Sequence, residues 1–222
     1  MTNPSETGRS LPPATGWRAA APNAITTARL GLAVAFVVVL SLPAVKPGAT
    51  AWLLSAAGIF VVAALSDALD GYLARRWNAV SKFGRVMDPF ADKVLVLSAF
   101  VLLAGPAFIV IDDGVRTPAS GVYPWMVAVI LARELLVTSL RGLLESQGRD
   151  ASAQIAGKAK MVLQSVAIPL VLVSVAFDPA GARAGWMTAV NLVVVLVTAI
   201  SAAPYLQAAF GAAPPNTPEQ EP

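Results

Sequence analysis

The sequence predicts an all-α integral membrane protein: six transmembrane helices in one bundle, with both termini cytoplasmic. Three observations lead there. Hydrophobic residues make up 56% of the 222 and charged residues only 13%, and mean hydropathy is +0.67, a balance outside the range of ordinary soluble domains. Apolar stretches recur at residues 30–45, 50–66, 94–111, 122–140, 161–177 and 185–209. With a polar turn added at one end, each approaches the roughly 20 residues a helix needs to cross the hydrocarbon layer. Backbone groups in lipid must be satisfied within the segment, so these stretches are expected as helices. With both termini inside, only Lys46, Arg116 and Arg183 of the sixteen basic residues fall outside, as the positive-inside rule requires.

Taken in order, residues 1–21 are rich in Pro, Ser and Thr and predict a disordered cytoplasmic tail. A single domain occupies 22–209. Helix 1 (30–45), a candidate signal anchor, carries Arg29 at its start and lacks a small-residue cleavage site, so it is expected to stay as the first helix of the bundle. Helix 2 (50–66) runs into the polar segment that begins at Asp67, and helix 3 (94–111) emerges from the same segment, with Gly105-Pro106 as a candidate kink. Helix 4 (122–140) ends among Arg133, Glu134 and Arg141; helix 5 (161–177) starts after Lys158 and Lys160 and contains Pro169; helix 6 (185–209) is apolar throughout. Residues 210–222 predict a second disordered tail. Up-and-down threading places every polar turn, from Asn23, Thr26 and Arg29 to Lys160, on the cytoplasmic side, where they predict a polar cavity.

The chain has no Cys and no His. That removes thiolate nucleophiles, thiolate metal sites, the usual general base and a phosphohistidine intermediate. Chemistry is left to carboxylates, hydroxyls, Lys, Arg and hard cations bound through oxygen. The net charge of +3 is accounted for by orientation and phosphate handling, and no nucleic acid partner is expected.

The carboxylates are concentrated in residues 67–92. Asp67, Asp70, Gly71, Ala74 and Arg75 fall within an arc of roughly 140° at the end of helix 2, at about 100° per residue. Gly84, Asp88 and Asp92 form an i, i+4, i+8 stripe into helix 3. Four carboxylates aimed at one point near a bilayer need counter-cations, and two divalent ions, Mg²⁺ or Mn²⁺, suit an all-oxygen donor set. Such a pair is suited to phosphoryl displacement. Gly71, Ala74 and Gly84 admit either a pyrophosphate close to the backbone or a neighbouring helix.

The spacing D-x2-D-G-x2-A-R-x8-G-x3-D-x3-D, met by Asp67, Asp70, Gly71, Ala74, Arg75, Gly84, Asp88 and Asp92, resembles the signature of the CDP-alcohol phosphatidyltransferases. The six-helix plan extends the resemblance over about 22–206. It implies transfer of a phosphatidyl group from a CDP-linked lipid to an alcohol, with release of CMP. By position it implies Asp67, Asp70, Asp88 and Asp92 as ligands of two divalent metals, and Asp92 also as the catalytic general base. Gly71, Ala74, Arg75 and Gly84 would line the CDP site, with Asn23 and Thr26 as further CDP-side candidates; Thr26 serves equally well as a helix cap. A homodimer in the cell (inner) membrane, its active site facing the cytoplasm, is implied as well.

PNAITTARLGL at residues 22–32, ARELLVTSLRG at 132–142 and GKAK at 157–160 resemble the branch that makes phosphatidylglycerophosphate. The implied substrates are CDP-diacylglycerol and sn-glycerol 3-phosphate. An acceptor bearing phosphate needs cations, which Arg133, Arg141 and Lys158 are expected to supply; head-group binding and the orientation signal are the other uses of such residues. Lys160 is evenly balanced between these roles. Glu134 is expected on another face from Arg133, beside a neighbouring cation. The same chemistry with phosphatidylglycerol or an inositol phosphate as acceptor is the alternative within the family. From another class, a cation transporter also uses intramembrane carboxylates, but the uncharged centres of these helices argue against a transport path.

Overall fold

A computed structural model describes residues 17–41, 48–76, 82–147, 155–178 and 184–211; within these, the side chains of 17–23, 68, 70–76, 82–86, 88–89, 112 and 155–156 lie outside the description. The elements are α1 (Trp17–Leu40), α2 (Thr50–Arg76), α3 (Lys82–Leu103), a 3-10 turn (Pro106–Phe108), β1 (Ile109–Asp112), β2 (Val115–Pro118), α4 (Pro124–Ser146), α5 (Ile155–Phe177), α6 (Ala184–Ile200) and α7 (Ala203–Phe210). Three of these helical stretches are long and apolar enough to cross a membrane: Thr50–Asp67, Gly157–Phe177 and Ala184–Phe210, the last running through α6 and α7. A shorter apolar run covers Ala24–Leu40 in α1.

Burial follows helical periodicity. On α1, Ala33, Phe36 and Leu40 face inward; on α2, Leu53, Ala56, Ala57, Phe60 and Ala63 do. The Phe36 and Phe60 rings meet edge to face, centroids 5.5 Å apart, and the alanines let the two backbones approach, as suits helices that must associate by close packing. α1 packs on α2 and α3, α2 on α5, α5 on α6 and α6 on α4. The outer surface is apolar as well: Leu65, Leu135, Val162, Val166, Leu196 and Ile200 are exposed, the pattern of a bundle solvated by lipid tails.

Several boundaries depart from expectation: α2 runs on to Arg76 and α3 starts at Lys82, so the polar segment is itself largely helical. α3 stops at Leu103, not residue 111, because Gly105-Pro106 ends the helix instead of kinking it: Gly105 is extended and caps the 3-10 turn. Beyond that turn the chain forms an antiparallel ribbon pairing Ile109 with Pro118 and Asp112 with Val115. Its loop, Asp113 (φ 47°) and Gly114 (φ 77°), has the two positive φ values a tight hairpin needs. This short ribbon is an addition to a chain that is otherwise helical, as expected. Helix 6 divides at Ser201 and Ala202 into α6 and α7; Pro204 sits in the first turn of α7, where a missing N–H is tolerated. α1 begins at Trp17, inside the tail expected over 1–21, while 1–16 and 212–222 lie outside the described residues. α5 continues through Pro169.

The connection from β2 to α4 is held against α6. Ser120 donates to the Leu103 carbonyl at 2.6 Å, and Asn191 of α6 donates to the Ser120 carbonyl at 3.1 Å. Gly121 has φ +65°, and a Cβ there would lie 2.4 Å from the Thr188 nitrogen. Only glycine meets both constraints.

Candidate active site

The buried stripes that build the core turn polar at one end of the bundle. On α4 the stripe of Met126 and Ile130 continues as Arg133, Glu134 and Val137, all buried. On α5, Ala167, Ile168 and Val171 continue back through Gln164 to Lys160, both buried. On α3, Leu95 and Ala99 continue back to Ala91 and Asp92. Helical register therefore carries charges inward by the same geometry that carries the leucines inward.

These ends meet around a cavity of about 310 Å³ lined by Asp67, Asp92, Lys93, Arg133, Glu134, Val137, Thr138, Arg141, Gly157, Lys160, Met161 and Tyr205. Asp67 stands in the second half of α2 and accepts a 2.5 Å ion-pair contact from Arg29 of α1, which is 1% exposed. Asp92 lies within electrostatic reach of Asp67, Lys160, Glu134 and Arg29. Arg133 Nη1 donates to Glu134 Oε1 at 2.9 Å, and Lys160 Nζ donates to the same oxygen. Lys93 Nζ donates to Thr138 Oγ1, whose hydroxyl donates to the Glu134 carbonyl at 2.6 Å. Arg141 lies 3.9 Å from Glu145, one turn on. The lining mixes both signs: Asp67 and Asp92 arrive on α2 and α3 and Glu134 on α4, while the cations come from Lys93 on α3, Arg133 and Arg141 on α4 and Lys160 on α5.

The expected residues fare unequally. Asp67, Asp92, Arg133 and Arg141 share the cavity wall. Lys158 does not: it is exposed, and Lys160 lines the cavity in its place. Two residues along a helix is a rotation of about 200°, so the two lysines face opposite ways. The expectation that Glu134 lies on another face from Arg133 is corrected too: Glu134 lines the same cavity, paired with Lys160 and Arg133 alike. Thr26 is buried on α1, one turn before Arg29, and is not among the residues that line the cavity. Asn23, Asp70, Gly71, Ala74, Arg75, Gly84 and Asp88 lie on helical backbone, but their side-chain placement is outside the description. Among the described residues no group of three or more metal-ligating side chains is assembled. Sequence reasoning missed Lys93, Thr138 and Tyr205. Lys93 carried a usable sign, since it directly follows Asp92; Tyr205 is brought in only by the turn before α7.

A helical bundle with carboxylates and cations lining one polar cavity at its end suits phosphate chemistry, the class this fold and site define. The sequence pattern of the CDP-alcohol phosphatidyltransferases matches residues 19–201. The chain belongs to that family and is an enzyme of that type. It is 35% identical over 158 residues to the CDP-diacylglycerol–glycerol-3-phosphate 3-phosphatidyltransferase of Bacillus subtilis, covering 68% of this chain and 75% of that one. To the Escherichia coli K12 protein of the same name it is 37% identical over 154 residues, again 68% and 75% of the two chains. A third of that name, from Cereibacter sphaeroides, is 35% identical over 160 residues, covering 71% of this chain and 65% of its own.

Proposed function

We propose that the protein transfers the phosphatidyl group of CDP-diacylglycerol to sn-glycerol 3-phosphate, giving phosphatidylglycerophosphate and CMP. The observation that carries the reading is the cavity itself: Asp67 and Asp92 line it together with Arg133, Arg141 and Lys160. A donor lipid phosphate and an acceptor phosphate bind to groups of different kinds, and this wall offers both. The names of the relatives favour the same pair of substrates.

The donor set fits hard divalent cations, because Asp67 and Asp92 bring carboxylate oxygens from two helices to one polar wall. The repeat of Asp67, Asp70, Asp88 and Asp92 makes these four the residues that would hold Mg²⁺ or Mn²⁺. Two such ions, when bound, supply charge neutralisation at the phosphate oxygens. Arg29, itself buried, keeps Asp67 oriented through their ion pair. Asp92 receives the proton of the acceptor hydroxyl as that oxygen bonds to the lipid-side phosphorus and the bond to CMP breaks. Arg133, Arg141 and Lys160 form the set that holds the acceptor phosphate, with Lys160 in place of Lys158, Arg with a planar fork and Lys as a point charge. Gly71, Ala74, Arg75 and Gly84 line the CDP side, with Asn23 and Thr26 near them.

We propose six spans, with the cavity on the cytoplasmic face of the cell membrane and the enzyme working as a homodimer. The membrane setting has support from tryptophan. Trp52, Trp125 and Trp186 are exposed and lie near the starts of α2, α4 and α6, the opposite end of the bundle from Asp67, Asp92 and Arg141. An indole belt of this kind marks a membrane interface.

The test is CMP release by purified enzyme given CDP-diacylglycerol, Mg²⁺ or Mn²⁺, and in turn glycerol 3-phosphate, phosphatidylglycerol and inositol phosphate. Turnover is expected with glycerol 3-phosphate and loss of turnover with a chelator. Turnover with another acceptor alone would refute the acceptor assignment, and turnover in the chelator would refute the metal.

A further inference from the structure

A cavity that must attract an anion contains a buried carboxylate, Glu134, 8% exposed. Placed there for charge alone, it would repel the acceptor. Its contacts give another reason. Oε1 accepts from Arg133 and Lys160, while the backbone carbonyl of the same residue accepts from Thr138, which in turn accepts from Lys93. Three cations on three helices, α3, α4 and α5, are tied to one residue. The cations are not saturated by it. Arg133 Nε is buried with no hydrogen-bond partner, and an ammonium has three donors, of which Glu134 takes one from Lys160.

We propose that Glu134 is a positioning residue for acceptor selection: it holds Arg133 and Lys160 side by side with donors to spare, so that the cavity favours an acceptor carrying a phosphate monoester. The inference rests on glycerol 3-phosphate being the acceptor. Without the shared carboxylate, two buried like charges repel and their long side chains separate. With it, the pair keeps one net positive charge and a fixed spacing. A phosphate dianion then gains several charge-assisted bonds at no ordering cost to the protein, whereas an uncharged polyol gains little.

The experiment compares Glu134→Ala, Glu134→Gln and Glu134→Asp with Lys160→Met, following KM for each substrate and inhibition by inorganic phosphate, with thermal unfolding in detergent as the folding control. For Glu134→Ala the KM for glycerol 3-phosphate is expected to rise on the order of ten- to hundredfold, the phosphate inhibition constant to rise with it, and the KM for CDP-diacylglycerol to hold. Glu134→Asp is expected to recover part of the loss. Glu134→Gln, which keeps the size and one acceptor oxygen, serves where the alanine variant fails to fold and is expected to follow the same direction. A folded Glu134 variant with unchanged acceptor KM, beside a Lys160→Met variant whose acceptor KM rises, would overturn the positioning role alone. Unchanged acceptor KM in both would overturn the acceptor reading together with it. Equal changes in both substrates' KM would make Glu134 a general structural residue and overturn the proposal.

Discussion

Lys158 and Lys160 sit two residues apart with the same chemistry, and the structure assigns them opposite surroundings. Lys160 is 6% exposed and lines the cavity; Lys158 is exposed. Replacing Lys160 by Met keeps the apolar stem and removes the charge. A hydrogen bond between charged groups contributes about 1.5–3 kcal/mol, and tenfold in a rate or binding constant corresponds to about 1.4 kcal/mol. Lys160→Met should therefore raise the KM for glycerol 3-phosphate by roughly 10- to 150-fold. Lys158→Met, which removes an exposed charge, should change it by less than about twofold, as most surface charges do. The assay is CMP release against acceptor concentration at saturating CDP-diacylglycerol, repeated against lipid concentration at saturating acceptor. Equal effects of the two substitutions, or an effect of Lys160→Met confined to the lipid substrate, would refute the assignment of Lys160 to the acceptor.

Two further outcomes test other parts of the molecule. Asp92→Asn should reduce CMP release by on the order of 10²-fold or more, the usual worth of a positioned proton acceptor, with the unfolding midpoint close to the parent's; full activity would remove Asp92 from the mechanism. Gly121→Ala forces a Cβ to within 2.4 Å of the Thr188 nitrogen at a φ of +65°. Overpacking and the left-handed backbone each cost about 1–2 kcal/mol or more, so a loss of roughly 2–5 kcal/mol is expected, visible as a lowered midpoint in detergent; an unchanged midpoint would contradict the packing of this loop on α6.

Much of this protein was legible in order along the chain. Apolar length alone marked the helical stretches, because a membrane span must satisfy its own backbone and has few ways to do so. The repeat of aspartates at helical spacing, met at Asp67 and Asp92 by a shared cavity wall, was legible for the same reason: four carboxylates near lipid require partners. The Asp113-Gly114 turn was also readable, since that dipeptide suits a hairpin, but the apolar run before it reads as helix up to Ile111. What the tertiary structure alone decided is which face each charge occupies. Lys160 faces in and Lys158 out because α5 packs one stripe against α2 and α6, and Glu134 of α4 joins Lys160 of α5 as well as its neighbour Arg133. Charge sign and spacing belong to the sequence; the partners of each charge depend on how neighbouring helices are rotated, and that rotation is set by packing contacts distant in the chain.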